Sequence, residues 1–287
     1  MPFITLTSDM GNRDYYVGAV KGFIYKRLPE AKIIDLSHNI RPFNIIEAAF
    51  CVQNVVEDFP DGTIHILAVN SDPNIDINMP SNRDEWPMVM YYRKQYFVGI
   101  DNGIFSLILQ GSVPEAFYRM TEAMTMPGIL RFPAKNLLAK IACQIAQGND
   151  LNVLGELVDS CKTVSDLIPV VEPNLIRGHV LHVDVYGNLI TNIHEDLFKR
   201  IGGDEPFIIY FRSKDYFIDK IHNAYNEVPH GERVAIFNSN NLLEIAINMG
   251  VHKNGGGANT LFGLKERDII RIEFMPPGSK ETIDSLF

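Results

Sequence analysis

Carboxylates recur where apolar strands end in the first half of the chain. Asp9 follows Phe3–Thr7, Asp35 opens Asp35-Leu-Ser-His38, Asp72 sits in Asn70-Ser-Asp-Pro-Asn74, and Asp101 begins Asp101-Asn-Gly103. Open parallel sheets bind ligands beyond the carboxyl ends of their strands, where these four loops would fall. Each acid alone also serves as a helix cap or turn-maker, and the four together are the stronger sign of a site. In the second half, Asp184-Val-Tyr-Gly-Asn-Leu-Ile-Thr-Asn192 and Asn238-Ser-Asn-Asn-Leu-Leu-Glu-Ile-Ala246 place amides and glycine beside apolar strands. Hairpin turns need positive φ, which explains them; amides reading the edge of a base explain them equally. Both accounts stay open from composition alone.

The elements that must carry these loops alternate at first. Phe3–Thr7, Ala31–Leu36 and Thr63–Val69 read as strands, the last nearly all apolar, as a central parallel strand should be. Tyr16, Val17, Val20, Phe23 and Ile24 recur at helical spacing up to Pro29. Asn44 with Glu47 starts a helix predicted to run to Pro60. Trp86–Tyr92 and Gln95–Ile100 flank Arg93-Lys94 as a hairpin, and a helix from about Asn136 stops at Gly148. The rhythm predicts an α/β N-terminal domain, a mostly parallel sheet with helices on both faces, over residues 1–165. A proline-bearing linker is expected over 166–175. Beyond it, 176–287 reads as a small all-β barrel domain, with strands at 179–185, 188–193, 206–211, 233–237, 242–247 and 268–274.

A net charge of −9 argues against nucleic acid, which needs a basic face. No run approaches the roughly 18 apolar residues of a membrane span. Three scattered cysteines without a CxxC pair, and no basic–apolar leader, fit a cytoplasmic protein. Cys51 and Cys143 lie in apolar helical patterns as inert thiols. His179 and His182 fall on opposite faces of a strand, so no metal site is expected. Gly255-Gly-Gly257 lacks the strand–GxGxxG–helix setting of a dinucleotide fingerprint.

Thr7-Ser-Asp-Met-Gly11 with Asp14-Tyr-Tyr-Val-Gly-Ala-Val-Lys-Gly22 resembles the opening motif of the S-adenosylmethionine (SAM) hydroxide adenosyltransferases, relatives of the fluorinases and chlorinases. Asp35–Phe43, Glu47–Phe50, Phe59–His65, Asp101–Gly103, Asp184–Asn192, Tyr225 ahead of Gly231-Glu232, and Asn238–Ala246 follow in the family's order. The resemblance implies an α/β domain, a β-barrel, a homotrimer, and SAM held between one subunit's N-terminal domain and a neighbour's C-terminal domain. It implies that Asp9 accepts from both ribose hydroxyls, that Phe43 lies under the ribose and that Tyr225 stacks on adenine. It implies further that Asn188 reads the base edge beside Tyr186, that Asp184 and Ser239 hold the methionine end, and that the Gly257-Ala258 backbone meets the base. No cofactor is implied; SAM is substrate or ligand.

The family's reaction is displacement at the ribose 5′ carbon by water, set up by an Asp–Arg–His group. Here Asp72 fits the aspartate, but Met79 stands near the arginine's place, with Arg83 four residues on as a substitute. Pro127 stands where the histidine belongs, and proline has no proton to exchange. Two functions follow: a slow SAM hydrolase yielding adenosine and L-methionine with Asp72 and Arg83 as catalytic groups, or a catalytically silent SAM- or adenosine-binding protein.

Overall fold

The computed structural model describes residues 1–74, 85–121, 128–164, 168–211, 213–250 and 256–275. The chain forms two compact units, Met1–Ser165 and Asp166–Phe287. The first contains β1 (Phe3–Ser8), α1 (Tyr16–Tyr25), β2 (Lys32–Ser37), α2 (Ile45–Gln53), β3 (Ile64–Ala68), β4 (Pro87–Tyr92) and β5 (Gln95–Ile100). It continues with α3 (Ile104–Leu109), β6 (Ala116–Arg119), α4 (Ala139–Ala146), α5 (Leu151–Leu154) and β7 (Glu156–Val158).

Its seven strands lie in the order β2-β1-β3-β5-β4-β6-β7. β2, β1, β3 and β5 run parallel, whereas β4, β6 and β7 pair antiparallel, so the sheet is mixed. Alternating side chains feed two cores, because successive strand residues face opposite ways. Ile4, Leu6, Ile64 and Ile66 pack with Val20 and Ile24 of α1 and with Ile141 of α4. On the other face, Leu67, Met88, Met90 and Phe97 pack with Ala48 and Val52 of α2 and Phe105 of α3. Helices therefore cover both faces.

The cap of α2 forms as its sequence suggests. Asn44 accepts the Glu47 N–H at 3.2 Å, while the Glu47 carboxylate lies 3.4 Å from the Asn44 amide. The helix stops at Gln53 rather than Pro60, because the Asn54 amide bonds the Phe50 carbonyl at 2.9 Å and competes with the helical ladder. A 3₁₀ turn, Val56–Asp58, takes up the remainder. α3 has no readable helical period, since five of its six residues are buried. The helix at 139–146 begins with a π turn, Ala134–Leu138. No described helix is long and apolar enough to cross a membrane.

The second unit contains β8 (Val170–Glu172), β9 (Leu175–Val183), β10 (Leu189–His194), α6 (Glu195–Gly202), β11 (Phe207–Phe211) and β12 (Ser213–Ile218). β13 (Ile221–His222), β14 (Arg233–Phe237), β15 (Leu242–Ile247), α7 (Ala258–Phe262) and β16 (Ile269–Phe274) complete it. The sheet runs β12-β11-β16-β9-β10-β15-β14-β13, with β8 on β9, and curls into a nearly closed barrel. Ile176, Val180, Leu189, Leu243, Ile245 and Ile270 fill it. β8 lies inside the stretch read as a linker: two adjacent β-branched valines pair with Ile176 and Arg177, and Pro169 and Pro173 limit the strand.

Behind β1, Thr5 Oγ1 and His65 Nδ1 are 2.8 Å apart, and His65 Nε2 lies 2.6 Å from Gln95 Oε1. Gln95 in turn donates to the Val56 and Phe59 carbonyls. Burial pushes the His65 imidazole down to about 4, against the weaker upward pull of Gln95. The unfolded chain then takes up a proton near 6.5 while the folded one does not until about 4. Stability contributed by neutral His65 is complete above 6.5 and falls as pH drops through that window. A His65→Gln variant should be less stable than wild type at pH 7.5 by thermal denaturation, and the gap should narrow steadily between pH 6.5 and pH 4.

Candidate functional site

In the first unit, β1 lies between β2 and β3, so the residue after it can reach both neighbours' loops. Asp9 does so with one atom: Oδ2 accepts the Phe43 N–H at 2.9 Å and the Asn70 N–H at 3.2 Å. Both donors sit at positive φ, 65° for Phe43 and 47° for Asn70. The two backbone bonds help hold these unfavourable conformations. Asp9 Oδ1 has no partner among the described residues and remains an acceptor. Phe43 is 69% exposed, so an apolar side chain stands open on a loop whose backbone Asp9 binds.

The Asp9 turn is fastened from beneath. Lys21 Nζ and His38 Nε2 meet the two oxygens of Asp35, the latter at 3.1 Å though off the best hydrogen-bond direction. Ser8 Oγ lies 2.7 Å from His38 Nδ1, and the Gly11 N–H donates to the His38 carbonyl at 2.8 Å. Burial raises the Asp35 carboxyl, but hydrogen bonds from Lys21 and His38 outweigh it and hold the group below its ordinary range. Which of Ser8 and His38 donates in this contact follows the ring tautomer. The Ser–His–Asp order invites comparison with a hydrolytic triad. Ser8 is only 1% exposed, however, and is out of a substrate's reach. These residues brace the turn that carries Asp9.

Of the other strand-end acids, Asp101 is a structural anchor. Both its oxygens accept the Lys162 N–H, at 2.9 and 3.0 Å. Its neighbour Asn102 donates to the Asn70 carbonyl at 2.9 Å, steadying the loop that Asp9 also holds. Asp72 is exposed, and its carboxylate has no partner among the described residues. Arg83, Met79 and Pro127, on which the sequence-based catalytic expectations turned, lie outside the described residues.

The second unit gathers the remaining set. Asp184 Oδ1 accepts the Tyr186 and Asn188 N–H groups at 2.9 and 2.8 Å, and Oδ2 takes the Asn188 amide at 3.1 Å. Gly187, at φ 84°, touches the segment before α7: a side chain there would strike the Asn259 amide and the Gly257 backbone. A side chain at Gly257 would strike the Tyr186 carbonyl. Asp184, Tyr186, Asn188, Gly257 and Ala258 are thus neighbours. Gly257 and Ala258 are both buried, Ala258 fully.

Glu244, absent from the sequence-based candidates, joins this group to the others. Its Oε1 accepts the Tyr225 hydroxyl at 2.6 Å and its Oε2 the Asn238 amide at 3.3 Å. Ser239 follows Asn238 at the exposed tip of that turn. Burial raises the Glu244 carboxyl, with Asp184 adding to it, and hydrogen bonds from Tyr225, Asn238 and Asn188 only partly offset this. Burial likewise raises the Tyr225 phenol, helped by its bond to Glu244. The signal available in the sequence was a lone acid in an apolar strand, Leu-Leu-Glu-Ile-Ala, since buried charges are kept only where they are paired.

Residues 4–155 match the SAM hydroxide adenosyltransferase N-terminal domain, and residues 178–271 match the C-terminal domain. The chain belongs to this family. It is 30% identical over 201 residues to the (R)-S-adenosyl-L-methionine hydrolase of Methanocaldococcus jannaschii, covering 68% of each chain. To the hydrolase of the same name from Thermus thermophilus it is 26% identical over 277 residues, covering 92% of this chain and 97% of the relative. A fluorinase from Actinopolyspora mzabensis is 22% identical, over 70% of this chain and 74% of its own. Among solved structures, an uncharacterized conserved protein from Thermotoga maritima superposes with a TM-score of 0.80 at 26% identity, covering 95% of this chain and 99% of that one.

The anchoring role of Asp101 has a pH signature. Burial pushes its carboxyl up to about 6, from an ordinary 3.8, despite the Lys162 bonds. The folded chain therefore binds this proton first, and its stability rises as pH falls through about 6 towards 3.8. Denaturant melts at several pH values should show wild type gaining on Asp101→Asn across that window. A gap that is constant with pH would refute the assignment.

Proposed function

We propose that this protein binds SAM and hydrolyses it slowly to adenosine and L-methionine. The observation that carries the reading is Asp9, with one oxygen committed to two loops, one of them bearing the exposed Phe43, and the other oxygen open. A cis-diol offers two hydroxyl donors, and an open carboxylate oxygen is their natural acceptor. In the second unit, Tyr225 supplies a stacking face, and Asn188 supplies an amide for the base edge. Asp184 and Ser239 supply polar groups for the methionine end, and the Gly257-Ala258 backbone lies alongside. The names of the relatives support a SAM-hydrolysing role. The trimer and a ligand shared between subunits belong to the same proposal.

The reaction forms an O–C5′ bond from water and breaks C5′–S, with the electron pair leaving on sulfur as neutral methionine thioether. The water's proton passes to solvent or to a nearby carboxylate. Asp72 orients that water, and Arg83 is the second catalytic group of this reading. A positioned base contributes about 10²–10⁴ in rate, so loss of the family histidine at Pro127 sets the expected slowness. Sulfonium is a good leaving group, which is why some rate survives.

A second reading, a silent SAM- or adenosine-binding protein, is favoured by Pro127 and Met79 standing where proton-bearing groups belong. One experiment separates the two. Purified protein incubated with SAM should release adenosine and methionine in equal amounts, slowed by Asp72→Ala. Binding by calorimetry without any product would leave the silent protein, and no binding would defeat both. Asp9→Ala should weaken adenosine binding at least about tenfold, since a hydrogen bond to a charged group is worth roughly 1.5–3 kcal/mol.

A further inference from the structure

We propose that Glu244 is a positioning residue that commits the Asn188 amide to present its carbonyl oxygen, so that the site selects a base carrying an exocyclic amino group over one carrying an oxo group. This deepens the nucleoside-binding reading above and rests on it.

Asn188 could in principle turn either end of its amide towards a ligand. The groups behind it remove the choice. Asp184 Oδ2 is 3.1 Å from Asn188 Nδ2, and Glu244 stands opposite Ile190 on the paired strand, two residues beyond Asn188. The Asn188 amide adds to the stabilisation of the charged Glu244 carboxylate. Both neighbours are carboxylates, and neither can donate when ionised. A flipped amide would set its oxygen against two acid groups, leaving lone pairs facing lone pairs in a buried spot. The nitrogen is therefore held inward. Oδ1, which has no donor among the described residues, is the atom left for a ligand.

Glu244 is itself fixed by two further donors. The Tyr225 hydroxyl occupies Oε1, and the Asn238 amide occupies Oε2. The Asn238 amide is oriented by the same logic, because its oxygen already accepts the Asn240 and Leu242 N–H groups at 3.0 and 3.2 Å. Every donor around Glu244 points inward, and the carboxylate is 4% exposed. Replacing one oxygen with an NH₂ group reverses this. Glu244→Gln still accepts from Tyr225, but its new donor can pair with the Asn188 oxygen and release the NH₂ outward.

The test is the ratio of adenosine to inosine affinity, measured by calorimetry on the intact protein. These nucleosides differ at the 6 position, amino against oxo with a protonated N1. Wild type should prefer adenosine at least about tenfold, a difference of about 1.4 kcal/mol. Glu244→Gln should reduce the ratio to within about threefold, by losing adenosine affinity and gaining inosine affinity. Asp184→Asn relaxes the other carboxylate and should move the ratio the same way, which keeps the test alive if Glu244→Gln does not fold. A merely structural role would weaken both nucleosides together and leave the ratio unchanged, overturning the proposal. Equal wild-type binding of the two nucleosides would overturn it as well, while leaving the nucleoside-binding reading intact. Wild type that binds neither adenosine nor SAM would remove that reading and this one with it.

Discussion

One carboxylate oxygen holds the first unit's candidate site together. Asp9 Oδ2 bonds the backbone N–H of Phe43 and of Asn70, the loops after the strands on either side of β1. Both loops adopt left-handed conformations, which cost energy for residues other than glycine. The same bonds tie the exposed Phe43 to the acid whose other oxygen stays open. The Lys21–Asp35–His38–Ser8 series then fixes the turn itself. A rigid acceptor loses little freedom on binding, and that preorganisation favours affinity.

The second unit uses the same principle with another acid. Glu244 gathers a phenol and amides from separate turns, and Asp184 closes the turn that bears Asn188. A carboxylate can take several donors but offers none, so each acid imposes a direction on every neutral group around it. Neutral amides are ambiguous by themselves. Flanked by acids they are not.

The strand-end acids differ in how firmly the chain holds them. The acids that organise the loops are tied into the sheet and barrel, so their positions are set by strand pairing. Asp72, by contrast, is exposed beyond the end of β3.

Much of this was legible in the sequence. The apolar run at Ile64–Ala68, helical spacing in Tyr16–Tyr25 and the Asn44–Glu47 cap are local properties, and each of these elements formed, although α2 ended at Gln53 instead of Pro60. Ordered motifs also named the family. Other features depend on residues far apart in the chain. Asp9 and Asp101 looked alike as strand-end acids, yet one keeps an open oxygen and the other is closed by the N–H of Lys162, 61 residues away. α3 was hidden because burial on all sides erases periodicity, and β8 because a three-residue strand exists only through its partner. Glu244 read as one acid in an apolar strand until folding brought Tyr225 and Asn238 to it. The sequence determined which groups could accept a donor; the tertiary structure decided which acceptors were already occupied, because occupancy depends on contacts that sequence spacing does not reveal.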